Sequence, residues 1–595
     1  MEEHSTPRWW WVAAPLSLAG LVLLLALPDL ARPVHNTIEA IRIACAQSMV
    51  EGGHWRIWLI PETWGTPYIF KPPLVPWIIA AGGLVAGRVD ETTARAAIAV
   101  ASALLLLTLW GVSRRPLGSG RAWLAALILI ATYDFAHRAA YALIDLPFML
   151  SLGAAVWAFF RGIEAEEGGE GGAYGAVHLL GAMAALLKGP LALAVLAAAT
   201  IPTALALGRP RALLNLVRRR TTLLWLLPAA WYGAVALSGG EAARSLLSTE
   251  LTQQITGLNE HEPPLWYLNT LATHFFPWGL LLPLTVVPAW RRHRRLATFV
   301  VVWAVAIFLL FSLSAEKTHR YLMPIYPALA AWIALGIDGV WAARGLAVAS
   351  VVTALVAAAG AIGAAFAPLW VEPGHNYLHT VVAAHAPFIA AAFTATAVAA
   401  AAAGHLAWHG RPLRGAALLA VVLAALQGPG YWHLQELPNH DPRQPLARVR
   451  ALVGDVPFAV YGWTARDQGA LPFYLRRKPV KLADPKAAAA HLAPGATYLL
   501  LPEARWAEVA AQIDGLREVY RFPFQPNRGV AEELLLITRD IAAAPAPVAG
   551  PVPPPAPGPV GDTVEQNHEG HEDHEGELRP KSSVITGGSE GSNPP

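Results

Sequence analysis

"PYIFKPPLVPWIIAAGGLVAG", residues 67–87, is the stretch on which the fold turns. Its run from 73 to 87 is apolar enough to enter a membrane, yet at about fifteen residues it lies near the lower limit for crossing one. Pro72 and Pro73 lack amide hydrogens and hold the chain extended, so they stop any preceding helix and start a new one at about residue 73. Lys71 is thereby presented at the interface, where its ammonium meets either lipid headgroups in general or one particular phosphate.

The rest of the chain decides whether that run crosses. With 595 residues, 55% hydrophobic, 14% charged and a mean hydropathy of +0.41, this is a polytopic membrane protein. Its net charge of +3 gives no sign of a nucleic-acid partner. Cys45, the single cysteine, excludes an internal disulfide and reads as a small apolar residue. Apolar stretches recur up to about residue 430, and the basic clusters at 113–121, 208–220, 290–295, 342–345 and 409–414 belong in the cytoplasm by the positive-inside rule. The N-terminal apolar run reads as an uncleaved first helix with Arg8 inside. It delivers residues 29–92 to the outer face, and the next helix must return to place Arg114 and Arg115 inside. The run 73–87 therefore lies along or dips into the membrane instead of crossing.

Continued in this way, the pattern predicts a mainly α protein of about thirteen spans. Loops 139–145, 239–270, 315–320 and 367–380 fall outside, with everything after 430. The predicted organisation is a transmembrane domain, 1–430, an α/β domain, 431–540, and a disordered tail, 541–595, rich in Pro/Ala and then His/Glu. In the second region "VPFAVYG", "ATYLLLP" and "AEELLLITRD" read as strands, and "DPKAAAAHLA" and "EARWAEVAAQIDGL" as helices.

The external segments carry isolated polar groups beside apolar helices: Glu39, Lys71, Asp145, Lys188, and the turn with Glu316, Lys317, His319 and Arg320. Charges at membrane depth are costly, so each is a functional candidate, against snorkelling or helix capping as the bland explanation. Their grouping on one face suits a reaction of a lipid phosphate with an acceptor, cations holding phosphate and a carboxylate accepting a proton. No nucleotide-binding glycine loop, HExxH or GxSxG motif is present.

Six segments, "EAIRIACAQSMVEGGHW", "PYIFKPPLVPW", "RAAYALIDLPF", "LLKGPLAL", "EHEPPLWYLNTLATHFFPWGLLLP" and "FSLSAEKTHRYLMPIYPALA", followed by "LPFYLRRKPV", run in one order through most of the chain. Together they resemble the GT-C superfamily of polyprenyl-phosphate-sugar glycosyltransferases, in particular the lipid A aminoarabinose transferases and protein O-mannosyltransferases of glycosyltransferase families 39 and 83. The resemblance implies a first external loop with membrane-parallel helices and an external, periplasmic α/β domain. It also implies a multi-pass bacterial inner-membrane enzyme that moves a sugar, with inversion, from an undecaprenyl phosphate to a lipid A, glycan or protein acceptor. Protein O-mannosylation is the nearest alternative. A lipid-linked-sugar transporter or binding protein is the alternative of another class.

Carried over by position, the resemblance makes Glu39 and Asp145 the candidate bases. Lys71, Lys317, Arg320, Tyr321, His261 and Lys188 become candidate donor-phosphate or substrate contacts. Three positions depart from the pattern: Ile38 stands where the family carries a putative catalytic Asp, Phe70 where it often carries a Glu near a proposed metal site, and Gln254 where an Arg commonly contacts phosphate. Arg320 is the expected substitute for that missing cation. No cofactor is assigned, because a divalent metal would lose its expected ligand at Phe70.

Overall fold

The computed structural model describes residues 7, 9–34, 36–64, 67–167, 173–238, 263, 265–314, 317–370, 377–435, 441–462, 470–477, 479–493, 497–524 and 532–539. Expectations for the tail, 541–595, and for Gln254, His261 and Glu316 fall outside them. Residues Met1–Val548 form one compact unit.

Among the described residues, six helices are long and apolar enough to cross a membrane: Trp10–Asp29, Glu91–Leu117, Asp145–Glu166, Arg294–Ser312, Val340–Phe366 and His385–Trp408. A seventh is gained if Trp266–His274 and Trp278–Arg292, bent by 106°, count as one broken span. Shorter apolar helices, among them Leu74–Ala86, Ser119–Ile130, Tyr174–Lys188 and Leu191–Ala206, fall below that length. Leu74–Ala86 has 13 residues. Such a helix extends about 20 Å, short of a hydrocarbon core of about 30 Å. It stops where Gly87 takes φ +75°, a conformation that glycine adopts without Cβ penalty.

Residues 29–92, expected to form the first external loop, are ordered by local chemistry. The Asn36 side chain accepts from the amides of Ile38 and Glu39 and starts the Thr37–Glu51 helix. Asp90 and Thr93 exchange reciprocal bonds of 2.9 Å, a capping box that starts Glu91–Leu117.

Burial separates the helices by position. In Asp145–Glu166, 94% of the apolar window is inside the protein, against 28% in Trp10–Asp29. The buried helix packs Trp157 and Phe160 against Phe299, with ring centroids 4.9 and 4.4 Å apart. Asp145, at its first turn, is therefore anchored on a rigid central element.

Toward the C-terminus short apolar runs, buried on both faces, replace the long helices. Five strands, β1 (Phe458–Tyr461), β2 (Val480–Leu482), β3 (Tyr498–Pro502), β4 (Arg517–Phe524) and β5 (Glu532–Thr538), form one sheet in the order β2-β1-β3-β5-β4. β1 runs parallel to β2 and β3, while β5 is antiparallel to β3 and β4. Phe458 and Val460 pack with Leu446 and Val449 of the Arg443–Val453 helix on one face. Ala459 and Tyr461 pack with Ala488 and Leu492 of Pro485–Leu492 on the other. β2 and β4 lie outside the expected strand runs. The segment Ala470–Leu475 meets the first external loop: the Tyr474 hydroxyl donates to Glu91 at 2.8 Å and accepts from the Val34 amide at 2.8 Å.

Candidate active site

Four elements converge around Asp145. The Tyr174–Lys188 helix ends there, so that Lys188 Nζ lies 2.6 Å from Asp145 Oδ1. Arg138, in the short helix Tyr133–Ala139, reaches Asp145 Oδ2 at 3.4 Å. The turn His319–Ile325 brings Arg320 within electrostatic range of both Asp145 and Lys188, and Lys71 comes within range of Lys188 from the start of Leu74–Ala86. The Lys188 ammonium also stands over the rings of Phe148 at 5.1 Å and Tyr321 at 5.4 Å. Asp145, Lys188 and Arg320 are all buried.

Four cations, Lys71, Arg138, Lys188 and Arg320, thus gather near Asp145, with Asp134 on the other side of Arg138. Several cations converging on one helix end are the groups that bind an anion such as a phosphate through charge-assisted hydrogen bonds, so this arrangement fits one. Of the expected contacts, Lys71, Lys188, Arg320 and Tyr321 gather here. Lys317, on the same turn, directs its Nζ to the Ser314 carbonyl at 2.7 Å.

Gly189 sets the placement of Lys188. It follows that residue with φ +73° and ψ −148°, a region essentially confined to glycine. A Cβ at this position would also come within 2.2 Å of the Tyr232 hydroxyl. Gly189→Ala is expected to cost on the order of 1–3 kcal/mol and to displace Lys188, lowering the midpoint of thermal unfolding in detergent. An unchanged midpoint would show that the turn relaxes freely.

Glu39 stands apart from this group. It is fully buried, receives Arg95 Nε at 2.9 Å and Nη2 at 3.0 Å, and accepts from the Ala142 amide at 2.8 Å. Arg95 in turn donates to the Asp29 carbonyl at 2.7 Å and to that of Arg32. Burial alone would raise the Glu39 carboxyl. The Arg95 charge and hydrogen bond, the Ala142 amide and the Arg32 charge more than offset it and hold the group below the usual carboxylate range. Both carboxylate oxygens are committed, and the ion pair ties the first external loop to the Glu91–Leu117 helix and to residue 142.

Sequence reasoning did not single out Arg95, Arg138, Asp134 or His274. Asp134 is buried; it accepts from Tyr326 Oη at 2.8 Å, pairs with His274 Nδ1 at 2.9 Å, and lies 3.6 Å from Arg138 Nη2. Burial by itself would raise its carboxyl, but the His274 hydrogen bond and the Arg138 charge, with the Tyr326 bond, keep it below the usual range. A signal was available for Asp134, the first charge after the apolar run 122–133, but not for Arg95, which follows Arg88, Asp90 and Glu91 closely. At Phe70 the side chain is half-exposed and offers no ligating atom, so the residues there do not fit a divalent metal and no step is derived through one.

Comparison with known proteins bears on the fold. Residues 70–232 match the family described as dolichyl-phosphate-mannose-protein mannosyltransferase. A protein from Edwardsiella ictaluri named undecaprenyl phosphate-alpha-4-amino-4-deoxy-L-arabinose arabinosyl transferase is 28% identical over 54% of this chain and 58% of its own length. Its namesake from Pseudomonas paraeruginosa is 30% identical over 48% and 52%. The chain thus spans somewhat over half the length of these curated relatives. The crystal structure of ArnT from Cupriavidus metallidurans bound to undecaprenyl phosphate superposes with a TM-score of 0.71 at 20% identity, over 91% of this chain and 100% of that one. The chain accordingly has an ArnT-like fold and resembles the glycosyltransferases of the GT-C superfamily.

Proposed function

We propose that this protein transfers a sugar from an undecaprenyl phosphate donor to an acceptor at the periplasmic face of a bacterial inner membrane. The observation that carries the reading is the convergence of Lys188, Arg138, Arg320 and Lys71 on the Asp145 end of a central helix. The names of the relatives, and the undecaprenyl phosphate in the ArnT crystal, supply the matching anion. In this reading about thirteen spans form a transmembrane domain, 1–430, the shorter apolar helices contributing spans or re-entrant segments. Residues 431–540 form a periplasmic α/β domain.

The leaving group is already a phosphate of low basicity, so its departure needs charge stabilisation and no general acid. Lys71, Lys188 and Arg320 hold the phosphate and take up the charge that develops as the anomeric C–O bond breaks. Tyr321 and Phe148 form the apolar walls that raise the value of those charges, and Lys317 and His261 are further candidate donor contacts. Asp145 keeps Lys188 in place. Of the two carboxylates expected as bases, Glu39 is committed to Arg95 and acts through the position of the loop.

The test is to incubate the purified protein with labelled undecaprenyl-phosphate sugars and, separately, glycolipid, glycan and protein fractions of the envelope. Label in a glycolipid or glycan fraction supports this reading. Label in protein makes it a protein O-glycosyltransferase, the reading favoured by the family match. Donor bound without transfer to any fraction would replace the enzyme with a transporter or lipid-binding protein.

A further inference from the structure

The site as described has its cations in place but no evident base. Glu39 has both oxygens committed and no exposed surface. Asp145 is held between Lys188 and Arg138, and a carboxylate clamped by two cations is a poor proton acceptor. Ile38 offers no proton acceptor at all.

On the far side of Arg138 lies a pair with the required geometry. Arg138 contacts Asp145 with one arm and Asp134 with the other, and Asp134 meets His274 Nδ1 at 2.9 Å. A carboxylate next to Nδ1 fixes the hydrogen on that nitrogen and leaves Nε2 with its lone pair. The Tyr326 hydroxyl donates to the same carboxylate and completes its orientation. His274 Nε2 has no hydrogen-bond partner among the described residues and is not among the buried unpaired atoms, so it opens to solvent. The ring is held from both sides, stacked on His319 with centroids 4.3 Å apart and meeting Tyr133 edge-on at 5.1 Å. His319 in turn accepts or donates at Thr270 Oγ1, 3.0 Å away, and is followed in sequence by Arg320 of the phosphate cluster.

We propose that His274, oriented by Asp134, is the general base that removes the proton from an acceptor hydroxyl; this rests on the transferase reading above. In the step, the acceptor oxygen forms a bond to the anomeric carbon as the bond from that carbon to the phosphate oxygen breaks. The bonding pair leaves on undecaprenyl phosphate, where Lys71, Lys188 and Arg320 receive it. The hydroxyl proton passes to His274 Nε2, and Asp134 stabilises the imidazolium. Asp134 is a positioning residue.

The proposal also assigns the acceptor's chemical class. A phosphate oxygen is already ionised at neutral pH and needs no base, whereas an alcohol does. The acceptor is therefore a hydroxyl, on a glycan or on a protein side chain.

The experiment uses the purified full-length protein, a labelled undecaprenyl-phosphate sugar, and glycan and protein fractions as separate arms. His274→Ala is expected to lower transfer by about 10²–10⁴-fold with donor binding retained, and added imidazole should restore part of the rate. Asp134→Asn should lower kcat with KM unchanged. Full transfer by His274→Ala would overturn the proposal, as would a loss that imidazole does not rescue or that removes donor binding as well. Wild-type protein that transfers to nothing would instead bring down the transferase reading, and this base with it.

Discussion

Lys188→Met is expected to lower kcat/KM for sugar transfer by on the order of 10²–10³-fold, the effect typical of removing one buried group aimed at developing charge. Lys188 is the cation most deeply held in the cluster, 2.6 Å from Asp145 and set over the rings of Phe148 and Tyr321. In the proposed reaction its charge acts on the leaving phosphate beside these apolar rings, with little screening. The variant keeps its fold, because Asp145 retains Arg138 and methionine fills the space of the lysine stem. Lys188→Arg keeps the charge but spreads it over a planar fork, and should recover part of the loss. Steady-state kinetics with labelled donor read both variants, and unchanged transfer in Lys188→Met would remove this cluster as the leaving-group site.

The largest stability effect belongs to Glu39 and Arg95. Arg95→Ala leaves Glu39 as a buried, unpaired charge and strips the Asp29 and Arg32 carbonyls of their donor. Breaking such a pair costs about 3–5 kcal/mol, enough to unfold the first external loop. Replacing both members, Glu39→Leu with Arg95→Met, removes the stranded charge and should return much of the stability. A double-mutant cycle followed by thermal unfolding in detergent separates the two outcomes. Equal losses in the single and double variants would show that the pair carries no coupling.

The same pair sets a pH dependence. The folded Glu39 carboxyl lies below its ordinary value of about 4.3. Its contribution to stability is therefore complete above that ordinary value and is lost as the pH falls through the folded one. Unfolding midpoints of the wild type should drop toward acid pH more steeply than those of the double variant.

How much of this was legible differs from residue to residue. Lys71, Asp145, Lys188 and Arg320 stood out in the sequence because each is a charge next to apolar segments, where a charge is kept only for a reason. Glu39 stood out equally, but its committed oxygens depend on Arg95, 56 residues away. His274 lies in a quoted motif, yet it gains chemical meaning only beside Asp134, 140 residues earlier. The short apolar helices, such as Leu74–Ala86 and Tyr174–Lys188, carry the hydropathy of a span without its length, because glycines such as Gly87 and Gly189 end them.

By itself the sequence determined what depends on local composition and period. That covers the membrane class of the chain, the helical stop at Pro72 and Pro73, and the short apolar runs that become β1, β3 and β5. Only the tertiary structure decided which charge meets which. Pairing between helix ends depends on how buried faces pack, and no spacing along the chain encodes that; so it took the fold to commit Glu39 to Arg95, seat Lys188 on Asp145, and bring Asp134 to His274.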